Sequence, residues 1–292
     1  GILPLQRAPI PVISVGNLTV GGSGKTPFAA WLAGELRRRN QKPALLARGY
    51  GQDEMVLHRR WNPDCLIMAQ EDRAFGAWQA AKKGASVVVL DDGFQHRRLG
   101  RELDIVLVAA TTPEKIRLLP RGPFRESFEA LDRADLVILT QKGRWDPDSD
   151  LEERLEPFLG ETPVKVSFLP ERWTDLEGEE ASAPEGDYLA VCGIGDPAGF
   201  ARILREATGR TGELLPLPDH HDYSWDDVTE LKGRLGGRTL VTTEKDAVKL
   251  HAFQSELPDL RILHLRVEIS RGEERLWQLV GEVLDSGRGP GR

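Results

Sequence analysis

The chain has 292 residues, 40% hydrophobic and 29% charged, with a formal net charge of −7. It is too apolar for a disordered chain and long enough for two domains of roughly 100–200 residues. It is too acidic for a protein whose whole surface binds nucleic acid. The two cysteines, Cys65 and Cys192, exclude a disulfide framework and fit a reducing compartment. The longest apolar run, residues 105–110, is far too short to span a bilayer. The chain begins at Gly1 and its methionines are Met55 and Met68, so a processed or partial chain is expected.

In chain order, residues 11–15 read as a buried strand followed by a Gly-rich loop. Phe28, Trp31, Leu32 and Leu36 then fall at helical spacing, with Glu35 and Arg39 as an i,i+4 pair. Residues 43–47 and 65–69 predict strands, 71–83 a helix, and 86–90 a β-branched strand covered on both faces. Residues 104–108 and 136–139 repeat the strand pattern. Strands separated by helices imply βαβ units and a parallel sheet with right-handed crossovers. A polar stretch over 145–163 closes this unit, 164–169 reads as a linker strand, and the acidic segment 171–187 as a surface loop. A second α/β unit follows, with strands at 188–192, 239–242 and 261–267. Its helices are expected near 198–207, 225–235 and 245–252, with a last helix over 273–284 and a frayed Gly/Arg tail over 286–292. The expected strands 164–169 and 261–267 are candidates to pair. The expected fold is therefore α/β: two α/β/α units with mostly parallel sheets, residues 1–163 and 164–292, joined by a short β linker. The last helix is expected to pack back on the first unit.

Gly21-Gly22-Ser23-Gly24-Lys25-Thr26 lies directly after a strand and directly before a helix. Glycines let backbone N–H groups converge on phosphate oxygens, and the helix N-terminus adds partial positive charge. Lys25 can reach β/γ-phosphates and the Thr26 hydroxyl can ligate Mg²⁺. Thr19 stands where the general phosphate-loop pattern has its first glycine. The apolar strand ending in Leu90-Asp91-Asp92 supplies the carboxylate such a site uses for Mg²⁺, and the first unit is expected to be P-loop NTPase-like. Motors, switches, transporter ATPases and small-molecule kinases share these parts.

Longer strings narrow the choice. Residues 13–27, Ala47-Arg48-Gly49-Tyr50-Gly51, Asp91-Asp92-Gly93-Phe94-Gln95-His96 and residues 119–126 together resemble the tetraacyldisaccharide 4'-kinase family. So do residues 192–197, Asp219-His220-His221 and Thr242-Thr243-Glu244-Lys245-Asp246-Ala247, in the family's order. The resemblance spans about residues 10 to 280, and Thr19 is part of it. It implies transfer of the γ-phosphate of ATP, with Mg²⁺, to the 4'-hydroxyl of an acylated glucosamine disaccharide 1-phosphate. It implies nucleotide contacts from Thr19, Val20, Gly21, Gly22, Ser23, Gly24, Lys25 and Thr26. Thr26, Asp91, Asp92 and Glu126 would form the metal site. The family's catalytic base matches Asp53 of Gln52-Asp53-Glu54, although the family places a longer segment between the Arg-Gly-Tyr string and this aspartate. The family pairs that base with a histidine, here His220 or, as the alternative, His221; a histidine beside a carboxylate favours its ionised form.

Arg48, Arg73, Arg121 and Arg125 lie in or beside the matched strings and suit an anionic acceptor, with the solvated-surface role equally open for each. The same strings carry Arg97 and Arg98. His96 is expected either to bond the substrate or to orient Asp92. Thr243 is expected to cap the helix that carries Lys245 and Asp246. The family carries a hydrophobic segment before the phosphate-loop strand, where residues 1–8 stand here. A monomer peripherally attached to the cytoplasmic face of a bacterial inner membrane is therefore expected, without nucleic acid. The competing expectations are a kinase for a soluble sugar, a nucleotide switch without acceptor chemistry, and a dinucleotide enzyme built on Gly193-Ile194-Gly195.

Overall fold

The structure is a computed structural model that describes residues 5–49, 52–146 and 149–286. Tyr50 and Gly51 of the matched strings, residues 1–4 and residues 287–292 of the tail lie outside the described residues. The chain divides into two compact units, the first comprising residues 1–140, 146–166 and 269–292, the second 141–145 and 167–268.

In the first unit β1 (Val12–Asn17) leads through the Gly-rich loop into α1 (Lys25–Arg38). There follow β2 (Pro43–Ala47), α2 (Gln52–Trp61), β3 (Leu66–Ala69), α3 (Arg73–Lys82), β4 (Val87–Asp91), β5 (Leu103–Ala109) and β6 (Leu136–Lys142), then the short α4 (Leu151–Leu155). The strands stand in the order β3-β2-β4-β1-β5-β6, and all their pairings are parallel. Parallel strands buried on both faces need continuous apolar runs, and β1, β2, β4 and β5 are buried along their whole length. Val12, Val88, Leu90, Ala44 and Leu46 pack under Ala77 and Ala80 of α3. The pairing that matters for chemistry is Val15 with Asp91, because it brings the end of β4 beside the strand that launches the phosphate loop. Gly16 is required there: a Cβ would lie 2.5 Å from Cβ of Phe94, so a side chain would push the 93–95 turn off the sheet.

The second unit contains most of β7 (Val164–Thr174), then β8 (Glu180–Ala181), β9 (Tyr188–Cys192), α5 (Pro197–Thr208), β10 (Glu213–Pro216), α6 (Trp225–Leu235), β11 (Thr239–Thr243), α7 (Glu244–Leu250) and most of β12 (Arg261–Arg271). Strands β10, β9, β11 and β12 are parallel in that order, and β7 lies next to β12. Along β9 alternate residues serve opposite cores. Leu189 and Val191 join Val228, Leu231 and Leu250; Tyr188, Ala190 and Cys192 join Phe200, Ile203 and Leu204. The helix α8 (Glu273–Ser286) belongs to the first unit, where Trp277 packs against Trp31 and under Arg39.

One local expectation needs correction, and two elements go beyond those expected. The segment 171–187 is not all loop: β7 continues to Thr174 and pairs antiparallel with β8, because Trp173 and Thr174 bury their side chains despite acidic neighbours. Residues 52–61, which carry no strong helical stripe, form α2 with Asp53, Met55, Leu57 and His58 turned inward. The four-residue edge strand β10 is too short to announce itself.

Candidate active site

The phosphate loop is built on glycine backbone. Gly21, Gly22 and Gly24 have φ of 69°, 73° and 79°, the left-handed region that favours glycine, and Gly24 immediately precedes α1. Such a curve gathers successive N–H groups for an anion at a helix start. The loop is pinned from below: buried Asn17 donates to Ser23 Oγ at 2.7 Å, and Thr140 Oγ1 donates to the Ser23 carbonyl at 2.9 Å. Val20 N donates to the Pro123 carbonyl and Arg125 N to the Leu18 carbonyl, which brings the 119–126 string alongside the loop.

Asp91 ends β4 with its carboxylate buried. Its Oδ2 accepts from His58 Nε2 at 3.0 Å, and its carbonyl accepts from Arg73 at 3.3 Å. Burial alone would raise the Asp91 carboxyl. The hydrogen bond and charge of His58, with Lys25 and the Thr26 hydroxyl adding to them, outweigh it and hold the group below the usual carboxylate range. Oδ1 has no hydrogen-bond partner among the described residues. An ionised carboxylate with one uncommitted buried oxygen, next to a threonine hydroxyl and a lysine, is a hard-oxygen donor set of the kind Mg²⁺ takes. Among the described residues no three His, Cys, Asp or Glu side chains converge as a cage. The donors present suit a metal completed by phosphate oxygens and water.

The two other acids expected at the metal are engaged by guanidinium groups. Asp92, in left-handed backbone at φ 59°, accepts from Arg125 at 2.7 Å, so Arg125 orients it. Glu126 accepts from Arg133 at 2.8 Å and from Gln95 at 3.1 Å, and Gln95 also donates to the Asn17 carbonyl. Arg73 is buried, not on the surface, and burial lowers its pKa first, opposed by Asp91 and Asp92. Arg48 and Arg121 are exposed. His96 has its pKa lowered by burial and then by Arg73 and Arg101. Asp53 is buried at the start of α2, where its Oδ1 accepts from the Glu54 N–H at 3.1 Å.

In the second unit two matched strings and Tyr223 meet at Asp246. Its carboxylate accepts from Gly193 N at 2.8 Å, Tyr223 Oη at 3.0 Å and Thr243 Oγ1 at 2.6 Å. Thr243 caps α7 by accepting from Asp246 N. Lys245 donates to Asp219 at 2.8 Å. His221 packs edge-on against Tyr223 and faces Asp227 at 3.2 Å. His220 stands in left-handed backbone at φ 61° with its side chain 45% exposed.

Comparison with known proteins decides the family. The family model for tetraacyldisaccharide-1-P 4'-kinase matches residues 1–285. This chain belongs to that family. It is 37% identical over 316 aligned residues to the tetraacyldisaccharide 4'-kinase of Anaeromyxobacter dehalogenans (strain 2CP-C), covering 94% of this chain and 82% of that one. It is 34% identical to the enzyme of the same name from Aquifex aeolicus (strain VF5), covering 97% and 91%. The crystal structure of LpxK from Aquifex aeolicus in complex with ATP superposes with a TM-score of 0.74 at 32% identity, covering 97% of this chain and 91% of that one.

Sequence reasoning did not reach His58, Asn17, Thr140 or Arg133. Only the pairs they make carry a signal: Thr140 lies 117 residues from Ser23 and His58 lies 33 from Asp91, while Asn17 and Arg133 bond partners six and seven residues away with no regular spacing to announce them.

Proposed function

We propose that this chain transfers the γ-phosphate of Mg-ATP to the 4'-hydroxyl of tetraacyldisaccharide 1-phosphate, yielding the 1,4'-bisphosphorylated lipid. The observation that carries the assignment is the joining, in a chain of this family, of a three-glycine phosphate loop to a buried ionised Asp91 at the end of the adjacent strand. Loop amides and Lys25 hold the triphosphate, and Thr26 and Asp91 would hold Mg²⁺, which neutralises charge on the β/γ-oxygens. Asp92 and Glu126, fixed by Arg125 and Arg133, support this set from the 119–126 side.

Asp53 is the base that accepts the proton of the 4'-hydroxyl. The resemblance assigns His220 to assist it, and the engagement of His221 with Tyr223 and Asp227 favours His220 of the two. The remaining arginines meet the anionic acceptor. No helix among the described residues is long and apolar enough to cross a membrane. Since the acceptor is acylated, we place the enzyme peripherally on the membrane face that ATP reaches. Co-sedimentation with anionic vesicles tests that placement.

The deciding assay is transfer of labelled γ-phosphate to the acylated disaccharide in detergent micelles. Wild-type transfer, lost in Lys25→Ala and Asp53→Ala, is the expected result. Transfer retained by Asp53→Ala would remove Asp53 as base while keeping the kinase. A kcat loss in His220→Ala without one in His221→Ala is expected. ATP binding without any transfer would move the assignment to a soluble acceptor or a switch.

A further inference from the structure

We infer that His58 is a positioning residue for phosphoryl transfer: it clamps one oxygen of Asp91 so that the other, Oδ1, is presented to the metal. The inference rests on the proposed metal role of Asp91.

Three observations carry it. First, the pair is fully enclosed, with side-chain exposure of 0% for His58 and 3% for Asp91. A carboxylate only accepts, so His58 Nε2 carries the proton and donates across the 3.0 Å contact. The other ring nitrogen, Nδ1, is buried without a hydrogen-bond partner among the described residues. The polar use of this ring is therefore Asp91. An apolar side chain of similar size would avoid leaving Nδ1 unsatisfied, and only the bond to Asp91 offsets that cost. The edge-on contact with Trp61, centroids 6.1 Å apart, sets the ring from its other side.

Second, Asp91 is gripped twice: Arg73 donates to its carbonyl and His58 to Oδ2. Fixing Oδ2 fixes rotation of the carboxylate and hence the direction of Oδ1, the oxygen with no hydrogen-bond partner among the described residues. Outer partners of a metal-ligating group orient it in this way.

Third, His58 sits on α2, the helix that opens with Asp53. Five residues of helix rise about 7.5 Å, so one rigid element holds both the proposed base and the clamp on the metal carboxylate. A displacement of α2 would misplace both together.

The test uses the full-length chain and Mn²⁺ as the probe, read by electron paramagnetic resonance in the presence of a non-hydrolysable ATP analogue. Two apolar replacements, His58→Leu and His58→Met, guard against misfit of either, and His58→Gln keeps an N–H donor. Loss of the clamp is expected to weaken Mn²⁺ binding and raise the magnesium half-saturation for transfer by about tenfold, leaving the acceptor KM unchanged. His58→Gln should stay within about threefold of wild type. Folded Leu and Met variants that bind Mn²⁺ within about twofold of wild type would overturn the inference, as would a Gln variant that loses as much as Leu. Asp91→Asn separates the two levels. If it weakens Mn²⁺ binding while the apolar His58 variants do not, only the positioning role falls. If it leaves Mn²⁺ binding intact, the metal role of Asp91 falls and the inference with it.

Discussion

Asp91 and Asp246 occupy similar places and have opposite fates. Each stands where a buried strand gives way to the next segment, and each side chain is out of solvent. Asp91 accepts from His58 on Oδ2 with Thr26 and Lys25 nearby, has no hydrogen-bond partner at Oδ1 among the described residues, and is kept below the usual carboxylate range. Asp246 spends both oxygens on Gly193, Tyr223 and Thr243, and burial still raises it. The distinction is between a carboxylate kept ionised with one oxygen uncommitted among the described residues and one consumed by its own fold. Burial of an acid does not by itself mark a reactive one; the number of satisfied lone pairs does.

The largest effects should fall on the Asp91 side, in catalysis. Lys25→Ala and Asp91→Asn are each expected to cut kcat by about 100- to 1,000-fold with little change in melting temperature. On the Asp246 side the loss should be of stability instead. Asp246→Ala removes the acceptor for two buried donors and the part-buried Thr243 hydroxyl, and should cost about 2–4 kcal/mol in denaturant unfolding. Its kcat per folded molecule should stay close to wild type. An Asp246→Ala protein that is stable but inactive would erase the comparison. Thr243→Ala is a smaller version of the same loss, since the hydroxyl both caps α7 and donates to Asp246. It should cost about 1 kcal/mol.

How much of this was legible follows from range. The phosphate loop, Lys25, Thr26 and Asp91 are legible because each lies in a contiguous string whose strand and helix context can be read locally. The parallel sheet is legible from β-branched runs separated by helices. Strand order is not, and strand order is what sets Asp91 beside Val15. The clamp from His58 follows from that order together with α2, whose sequence Gln52–Trp61 has charged residues at both ends and only Met55, Val56, Leu57 and Trp61 as apolar side chains. Asp92 and Glu126 are legible as acids but not in their pairing. Their residue type suits a metal, and what could not be read is that Arg125 and Arg133 hold them as ion-pair partners beside the phosphate loop. In the knot at Asp246 the Thr243 cap is local and legible, but the approach of residues 193 and 223 is not.

The finest test is the sign of pH dependence within the second unit, where Asp246 can be set against Asp219. Asp246 has its native pKa raised by burial, so its protonated form is favoured on folding. Its contribution to stability is fully present below the unfolded value of about 3.9 and is lost as pH rises through the native value. At Asp219 burial pushes the same way, but the Lys245 hydrogen bond and charge outweigh it and lower the pKa. Its contribution is present above about 3.9 and is lost as pH falls through the native value. Isothermal urea unfolding between about pH 3.5 and 7 should therefore show opposite trends. The stability difference between wild type and Asp246→Asn should shrink or turn negative as pH rises, while that between wild type and Asp219→Asn should grow. Parallel trends would mean that Tyr223, Gly193 and Thr243 stabilise the charge on Asp246 more than its burial penalises it. Asp246 would then be an ionised acid like Asp91, distinguished from it only by having no oxygen left to offer.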